Sequence, residues 1–318
     1  MALEQAVSAP DVHADLRAEL LAGLRHRPRS INPKFFYDER GSELFSLICE
    51  AEEYYPTRTE IAILQRYSGE MADAVGDHCL LLEPGAGACE KVRYLLADLR
   101  LDAYLPLDIS REFLLNAAAR LREEFPALTV HPLVADFNEH FALPELGGEA
   151  HRVVFYPGST IGNFTPQGAQ AFLARAATLV GAGGGLLIGV DLHKPSSILN
   201  AAYNDAAGYT AAFNLNVLAH ANRLLQADFD PDGFRHVAFY NEAERRIEMH
   251  LESRRAQRVA CPDAVLEFAE GERIHTEYSH KYTVDSFAEL AQAAGFTPQA
   301  CWTDPDGLFS VQYLEVSA

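Results

Sequence analysis

Between Cys79 and Asp191 short apolar runs alternate with segments of helical period, and glycines or acidic residues close each run. Residues 79–83 read as a first strand ending at Glu83, followed by Gly85-Ala86-Gly87 and a helix over 90–99. A second strand over 103–107 ends in Asp108-Ile109-Ser110. Ser110 is a candidate N-cap for a helix whose apolar face is Phe113, Leu114, Ala117, Ala118 and Leu121. A third strand over 128–134 ends in Ala135-Asp136-Phe137, and a fourth over 153–156 ends in PGSTIGNF. Thr165-Pro166 then reads as N-cap and N1 of a helix to about Val180, and a fifth strand covers 186–191. Repeated strand–helix units of this size predict a parallel sheet with helices on both faces.

Outside that rhythm the pattern changes. Residues 12–25 carry Val12, Leu16, Leu20, Leu21 and Leu24 at helical spacing. The next stretch is dense in aromatics (Phe35, Phe36, Tyr37, Phe45, Tyr54, Tyr55), which serve either as core or as a lid presenting tyrosine hydroxyls. The α/β rhythm stops at His193. Residues 194–282 begin as an Asn- and Ala-rich helix and continue in alternation, with Ile247, Met249 and Leu251 on one strand face. That segment reads as an insertion forming a second, smaller domain. A helix over 285–294 with Gly295 as its stop, and a last strand over 308–316, resume the sheet.

Composition narrows the partners. The chain has 318 residues, 48% hydrophobic and 22% charged, and 26 Lys+Arg against 45 Asp+Glu leave a net charge of −19. That balance disfavours nucleic acid and anionic membrane. Five scattered cysteines, never spaced C-x-x-C, point to reduced thiols in a cytosolic setting. The N-terminus lacks a basic start followed by an apolar core, and no apolar run has the length of a membrane span, so a cytoplasmic protein is expected.

In open α/β sheets ligands sit beyond the carboxyl ends of the strands, where strand order reverses. Four strand ends carry polar or glycine chemistry: Glu83 with Gly85 and Gly87, Asp108, Asp136, and Gly158 through Asn163. Asp108 is placed to accept both hydroxyls of a ribose, although a single Asp there more commonly caps the next helix. A dinucleotide fingerprint needs a third glycine where Glu90 stands, and no G-K-[ST] of a P-loop is present. S-adenosylmethionine, with an adenosine, no phosphates and a cationic sulfonium, suits these acidic ends better. The order of elements resembles the class I S-adenosylmethionine methyltransferase (Rossmann-like) fold.

Ten stretches together resemble one family, the ergothioneine-pathway L-histidine Nα-methyltransferases, which make hercynine: FYDERGSELF, EEYYPTRTE, EPGAGACEKVRYLL, PLDISREFL, VADF, FYPGSTIGNFTP, AAYNDAAGYTAAFNLN, RIEMHLESRRAQ, IHTEYSHKYT and TDPDGLFSVQYL. The resemblance implies a methyltransferase domain over 59–193 plus 283–318 and a substrate-binding domain over 1–58 plus 194–282, with the active site between them. By motif it implies cofactor contacts at Gly85, Lys91, Asp108, Asp136 and Phe137, Lys91 having a solvated-helix reading beside it. It implies a substrate pocket of Tyr54, Gly158, Asn163, Tyr203, Met249, Glu277 and Ser279, with Tyr37 nearby; Met249 reads equally well as sheet core. Cys89 in the glycine turn departs from the family pattern. A metal site at His275 and His280 lacks a carboxylate or thiolate to complete it, so no metal is expected.

Such a pocket suits histidine. Glu277 can accept from one imidazole N–H while Ser279 serves the other nitrogen; Asn163 can accept from the amine and Tyr203 donate to the carboxylate. The expected function is trimethylation of the histidine α-amine by S-adenosylmethionine, with S-adenosylhomocysteine released and Tyr37 taking up protons. The expected partner is L-histidine alone, with the protein acting as a monomer. N-methylation of another amino acid or small amine is the nearest alternative. An NAD-dependent oxidoreductase and a non-catalytic S-adenosylmethionine-binding module are more distant ones.

Overall fold

The computed structural model describes residues 12–137, 141, 143 and 151–317; the expectation of no leader peptide falls on residues 1–11 and lies outside them. The chain divides into two units. One gathers the chain up to Tyr54 with Ser196–Asn241 and Ile247–Tyr278, and the other Tyr55–Pro195, Glu242–Arg246 and the chain from Ser279 on.

The first unit contains helices α1 (Val12–Arg25), α2 (Glu39–Glu50), α6 (Ser196–Ala202) and α7 (Tyr209–Leu225). Strands β1 (Arg29–Ser30), β7 (Phe234–Asn241), β8 (Arg246–Ser253) and β11 (Arg273–His280) form one sheet in the order β1-β11-β8-β7, and β9 (Gln257–Cys261) pairs with β10 (Ala264–Phe268). The helical spacing over 12–25 has its cause here, since Leu20 and Leu24 are buried. Phe35 and Phe36 are core, whereas Tyr37 is 46% exposed.

The second unit opens with α3 (Tyr55–Val75) and carries a seven-stranded sheet. Its elements are β2 (Cys79–Pro84), β3 (Leu101–Asp108), α4 (Arg111–Glu124), β4 (Leu133–Val134), β5 (His151–Tyr156), α5 (Pro166–Val180) and β6 (Gly185–Asp191). Helix α8 (Val284–Ala293) and strands β12 (Phe296–Thr303) and β13 (Phe309–Val316) complete it. The order is β12-β13-β6-β5-β2-β3-β4, with β13 antiparallel to both neighbours and every other pair parallel. The apolar runs are continuous because both sheet faces are covered. Leu81, Val153, Phe155 and Leu187 join one core, and Leu82, Val154, Leu186 and Ile188 join the other. Strand order reverses between β2 and β5, which sets the crevice beyond their carboxyl ends. Among the described residues no helix is long and apolar enough to cross a membrane.

Three expectations are corrected. The helix over 90–99 is a short 3-10 turn, Lys91–Tyr94, continued by further turns. Val92, Leu95 and Leu99 bury themselves there without regular α-helix. The strand over 128–134 keeps only Leu133–Val134 and a single bridge from Val130 to Tyr104; between them β3 carries Pro106, which has no N–H to give the ladder where Tyr104 and its alternate neighbours face this edge. The last strand also has a hairpin partner, β12, that the alternation did not reveal.

Candidate functional site

The glycine turn after β2 is built from three left-handed residues, Gly85 (φ +66°), Gly87 (φ +52°) and Cys89 (φ +55°). A Cβ at Gly85 would meet nothing within 4 Å, so conformation and not crowding explains that glycine, and the backbone there is open to a ligand. Cys89 holds the same conformation with its side chain buried, and burial, reinforced by the nearby Glu83, pushes its thiol up to about 12. It is a packing residue, not a reactive one.

Asp108 at the end of β3 braces the turn. Its carboxylate accepts from the Gly87 N–H (3.1 Å) and the Ser110 N–H (2.8 Å). Ser110 occupies the N-cap position of α4, but its hydroxyl makes no capping bond; Asp108 accepts the N–H of Ser110 itself and so fixes the residue that leads into the helix. The Ala135 N–H donates to the Asp108 carbonyl (3.2 Å), which brings Asp136 and Phe137 to the same edge, with the Phe137 ring 5.0 Å from that of Phe172.

Lys91 is not a solvated helix residue. It is 22% exposed, and its Nζ lies 2.5 Å from Oε2 of Glu60, a carboxylate on α3 that is 1% exposed. The two Glu60 oxygens also accept the Gly158 N–H at 2.8 and 3.0 Å. Gly158 has φ +84°, and a Cβ on it would stand 3.1 Å from Lys91 Nζ. One buried carboxylate therefore ties the lysine after the glycine turn to the turn after β5. Deeper in, Tyr104 donates to Glu83 Oε2 (2.5 Å), and burial pushes the Glu83 carboxyl up to about 8, keeping it largely protonated near neutrality.

The turn after β5 continues through Ser159 (φ +54°) into a 3-10 segment, Thr160–Asn163. A Cβ at Gly162 would fall 2.8 Å from the His280 carbonyl oxygen and 3.6 Å from Ser279 Oγ. Asn163 and Ser279 thus sit on segments in direct contact, which is why position 162 has no side chain. Below them is a buried charged network. Asp191 accepts from Lys194 (2.6 Å) and the Tyr55 hydroxyl (2.8 Å), and its other oxygen pairs with Lys281 (2.7 Å). Lys281 also donates to Ser279 Oγ (2.7 Å). Burial alone would raise the Asp191 carboxyl, but the two ammonium groups hold it below the usual carboxylate range. Burial draws Lys194 down to about 8 against the pull of Asp191.

In the first unit the aromatics are contiguous. The Tyr37 ring packs 5.7 Å from Phe45 and 5.8 Å from Phe213, Phe45 lies 6.4 Å from Tyr54, and Tyr54 lies 6.3 Å from Tyr203. Burial raises the Tyr54 hydroxyl well above its ordinary value, and the charges of Tyr203, Cys49, Glu277 and Tyr37 add to it in that order. Met249 is buried on β8, whose neighbour is β11, the strand of Glu277. Within this unit the rings of Tyr37, Tyr54 and Tyr203 are linked through Phe45; within the other, Gly85, Lys91, Asp108, Asp136, Phe137, Gly158 and Asn163 lie at the sheet's carboxyl edge, and Ser279, near the end of β11, meets the turn at Gly162. Sequence reasoning missed Glu60, Asp191, Lys194 and Lys281. Glu60 and Lys281 stand inside quoted stretches (EEYYPTRTE, IHTEYSHKYT), and Asp191 ends a strand, so position was the available signal.

The chemistry of this edge fits a nucleoside with a charged tail. An open left-handed turn, a strand-end carboxylate able to take ribose hydroxyls, and a lysine able to meet a carboxylate stand side by side. Comparison with known proteins agrees. A family model described as histidine-specific, SAM-dependent methyltransferase matches residues 16–316. The chain is 44% identical to a histidine N-alpha-methyltransferase of Mycolicibacterium smegmatis over 98% of each chain. It is 41% identical to one of Mycobacterium tuberculosis over 94% of each. A solved S-adenosylmethionine-dependent methyltransferase from Clostridium acetobutylicum shares the fold with a TM-score of 0.51 and 9% identity, covering 87% of this chain and 99% of its own.

Proposed function

The chain belongs to the S-adenosylmethionine-dependent, histidine-specific methyltransferase family, and from that premise we propose that it trimethylates the α-amino group of L-histidine to hercynine, the first step of ergothioneine biosynthesis. The observation that carries this reading is the 44% identity to a histidine N-alpha-methyltransferase over 98% of both chains. S-adenosylmethionine, when bound, supplies an electrophilic methyl on a sulfonium and leaves as S-adenosylhomocysteine.

In this reading the second unit is the methyltransferase domain and the first the substrate-binding domain. The Gly85 turn takes the donor's backbone-facing edge, Asp108 accepts from the ribose hydroxyls, Asp136 and Phe137 border the adenine, and Lys91 meets the carboxylate. Glu277 accepts from an imidazole N–H, Ser279 serves the other ring nitrogen, and Met249 packs on the ring flank. Asn163 accepts from the amine and Tyr203 donates to the carboxylate, with Tyr54 and Gly158 completing the pocket. With both ends of the amino acid fixed, most of the rate comes from placement. A carboxylate against the amine would keep it protonated, so the neutral amide of Asn163 suits a reaction that needs a free base three times. Tyr37, exposed enough to pass protons to water, accepts those the amine releases. The enzyme acts as a cytoplasmic monomer on small molecules.

Mass spectrometry of an amino-acid panel incubated with protein and S-adenosylmethionine should show three added methyl groups on histidine; product on another amino acid and none on histidine would overturn the assignment. Glu277→Ala should weaken histidine about tenfold or more in calorimetry while leaving the donor unchanged, and equal losses would make Glu277 structural. Tyr37→Phe should slow turnover with little change in histidine affinity, and full turnover in all three steps would remove its proton role.

A further inference from the structure

Ser279 is buried, and its Oγ lies 2.7 Å from Lys281 Nζ. An ammonium only donates, so Ser279 must accept in that bond, and its own hydrogen is turned away from the lysine. Among the described residues that hydroxyl donates to no protein acceptor. The lysine is itself fixed. Its Nζ pairs with Asp191 Oδ2 at 2.7 Å, and its backbone N–H donates to the Arg245 carbonyl at 2.8 Å. Asp191 is held in turn by Lys194 and Tyr55 through its carboxylate and by its own N–H to Ser159 Oγ at 2.9 Å. Each partner of Ser279 is thus immobilised by another buried group.

We infer that Lys281, anchored on Asp191, is a positioning residue that sets Ser279 as a hydrogen-bond donor, so that the site takes its substrate ring as a neutral imidazole with an unprotonated nitrogen toward Ser279. The inference rests on the proposed function for the placement of Ser279 at the substrate ring. A ring N–H pointed at Ser279 would have to take the one lone pair of Oγ that Lys281 leaves and would strand the serine hydrogen, buried, without an acceptor, the kind of mismatch that sets specificity. Imidazolium and the opposite tautomer are both disfavoured by this one polarity. Glu277, which can only accept when ionised, asks for the complementary N–H on the other nitrogen.

A double-mutant cycle on the full-length enzyme tests this, with histidine KM and S-adenosylmethionine KM read separately. Ser279→Ala and Lys281→Met should each raise histidine KM about tenfold or more, with donor KM within about twofold. The double variant should be no worse than the poorer single, because Lys281 acts through Ser279. Lys281→Arg, which keeps the donor, should recover most of the loss. Multiplying losses, or an unchanged histidine KM in Lys281→Met, would overturn the role of Lys281. An unchanged histidine KM in Ser279→Ala would instead overturn the placement of Ser279 in the proposed function. Should Lys281→Met not fold, nitrogen NMR of ring-labelled histidine bound to the wild-type enzyme with S-adenosylhomocysteine decides. One bare and one protonated nitrogen are expected, and a ring protonated on both, or averaging between tautomers, would overturn the inference.

Discussion

Glu60 shows how much a single buried carboxylate can organise. Its two oxygens hold the Lys91 ammonium and the Gly158 N–H, so the lysine proposed for the donor and the turn proposed for the substrate share one anchor. Glu60→Gln keeps the shape and can still accept from Gly158, but it removes the charge that steadies Lys91. Donor KM should therefore rise about tenfold in that variant, with a smaller change for histidine. Asp108 carries a similar double duty, since the carboxylate proposed for the ribose already braces the Gly87 and Ser110 amides. Asp108→Ala should cost about tenfold or more in donor affinity and much less in histidine affinity. Unchanged donor binding by calorimetry would remove the ribose assignment.

At the scale of elements, β6 supplies a sharper test of the Glu60 anchor. A Cβ at Gly189 would overlap Glu60 Oε1 and stand 3.1 Å from the Phe309 ring, so the strand carries glycine where α3 delivers its carboxylate. Gly189→Ala should lower stability by about 1–3 kcal/mol and weaken donor binding more than the drop in melting temperature accounts for. This same strand explains what could be read from the chain alone. Its residues are buried throughout, and Leu186 and Ile188 serve one core while Leu187 serves the other, so the apolar run had no other use. The Thr165-Pro166 start of α5 was equally legible, because the Thr165 side chain accepts the Gly168 N–H as a local N-cap. Less legible were features set by distant neighbours. Residues 91–94 have helix-forming composition, yet they form 3-10 turns after the left-handed Cys89. Glu60 and Lys281 look like ordinary surface charges in sequence, and only their partners on other elements bury them.

For the whole molecule, pH is the informative variable. Glu83 titrates at about 8 in the fold against 4.5 when free. A raised carboxyl stabilises the fold below its free value and loses that contribution as pH climbs through the folded one. Asp191, Asp205, Glu252 and Glu272 are shifted downward, so their contributions are present above the ordinary carboxylate range and fade on acidification. Stability should peak between these two limits. Glu83→Gln, neutral at every pH and still able to accept from Tyr104, should melt higher than wild type at about pH 8.5 and lose that advantage toward about pH 5. Parallel melting curves at both would contradict the protonated carboxyl.

The pairing of β1 with β11 sets a timetable for synthesis. Arg29 and Ser30 lie parallel to Ile274 and His275, so the partner of the first strand emerges from the ribosome 274 − 29 = 245 residues later. At translation speeds of roughly 5–20 residues per second, that strand waits on the order of tens of seconds for its partner. The five-stranded parallel run β2 to β6 is complete long before, at Asp191. Nascent chains halted before residue 273 should therefore protect the Rossmann-like strands from protease while residues 29–30 remain unpaired and cleavable.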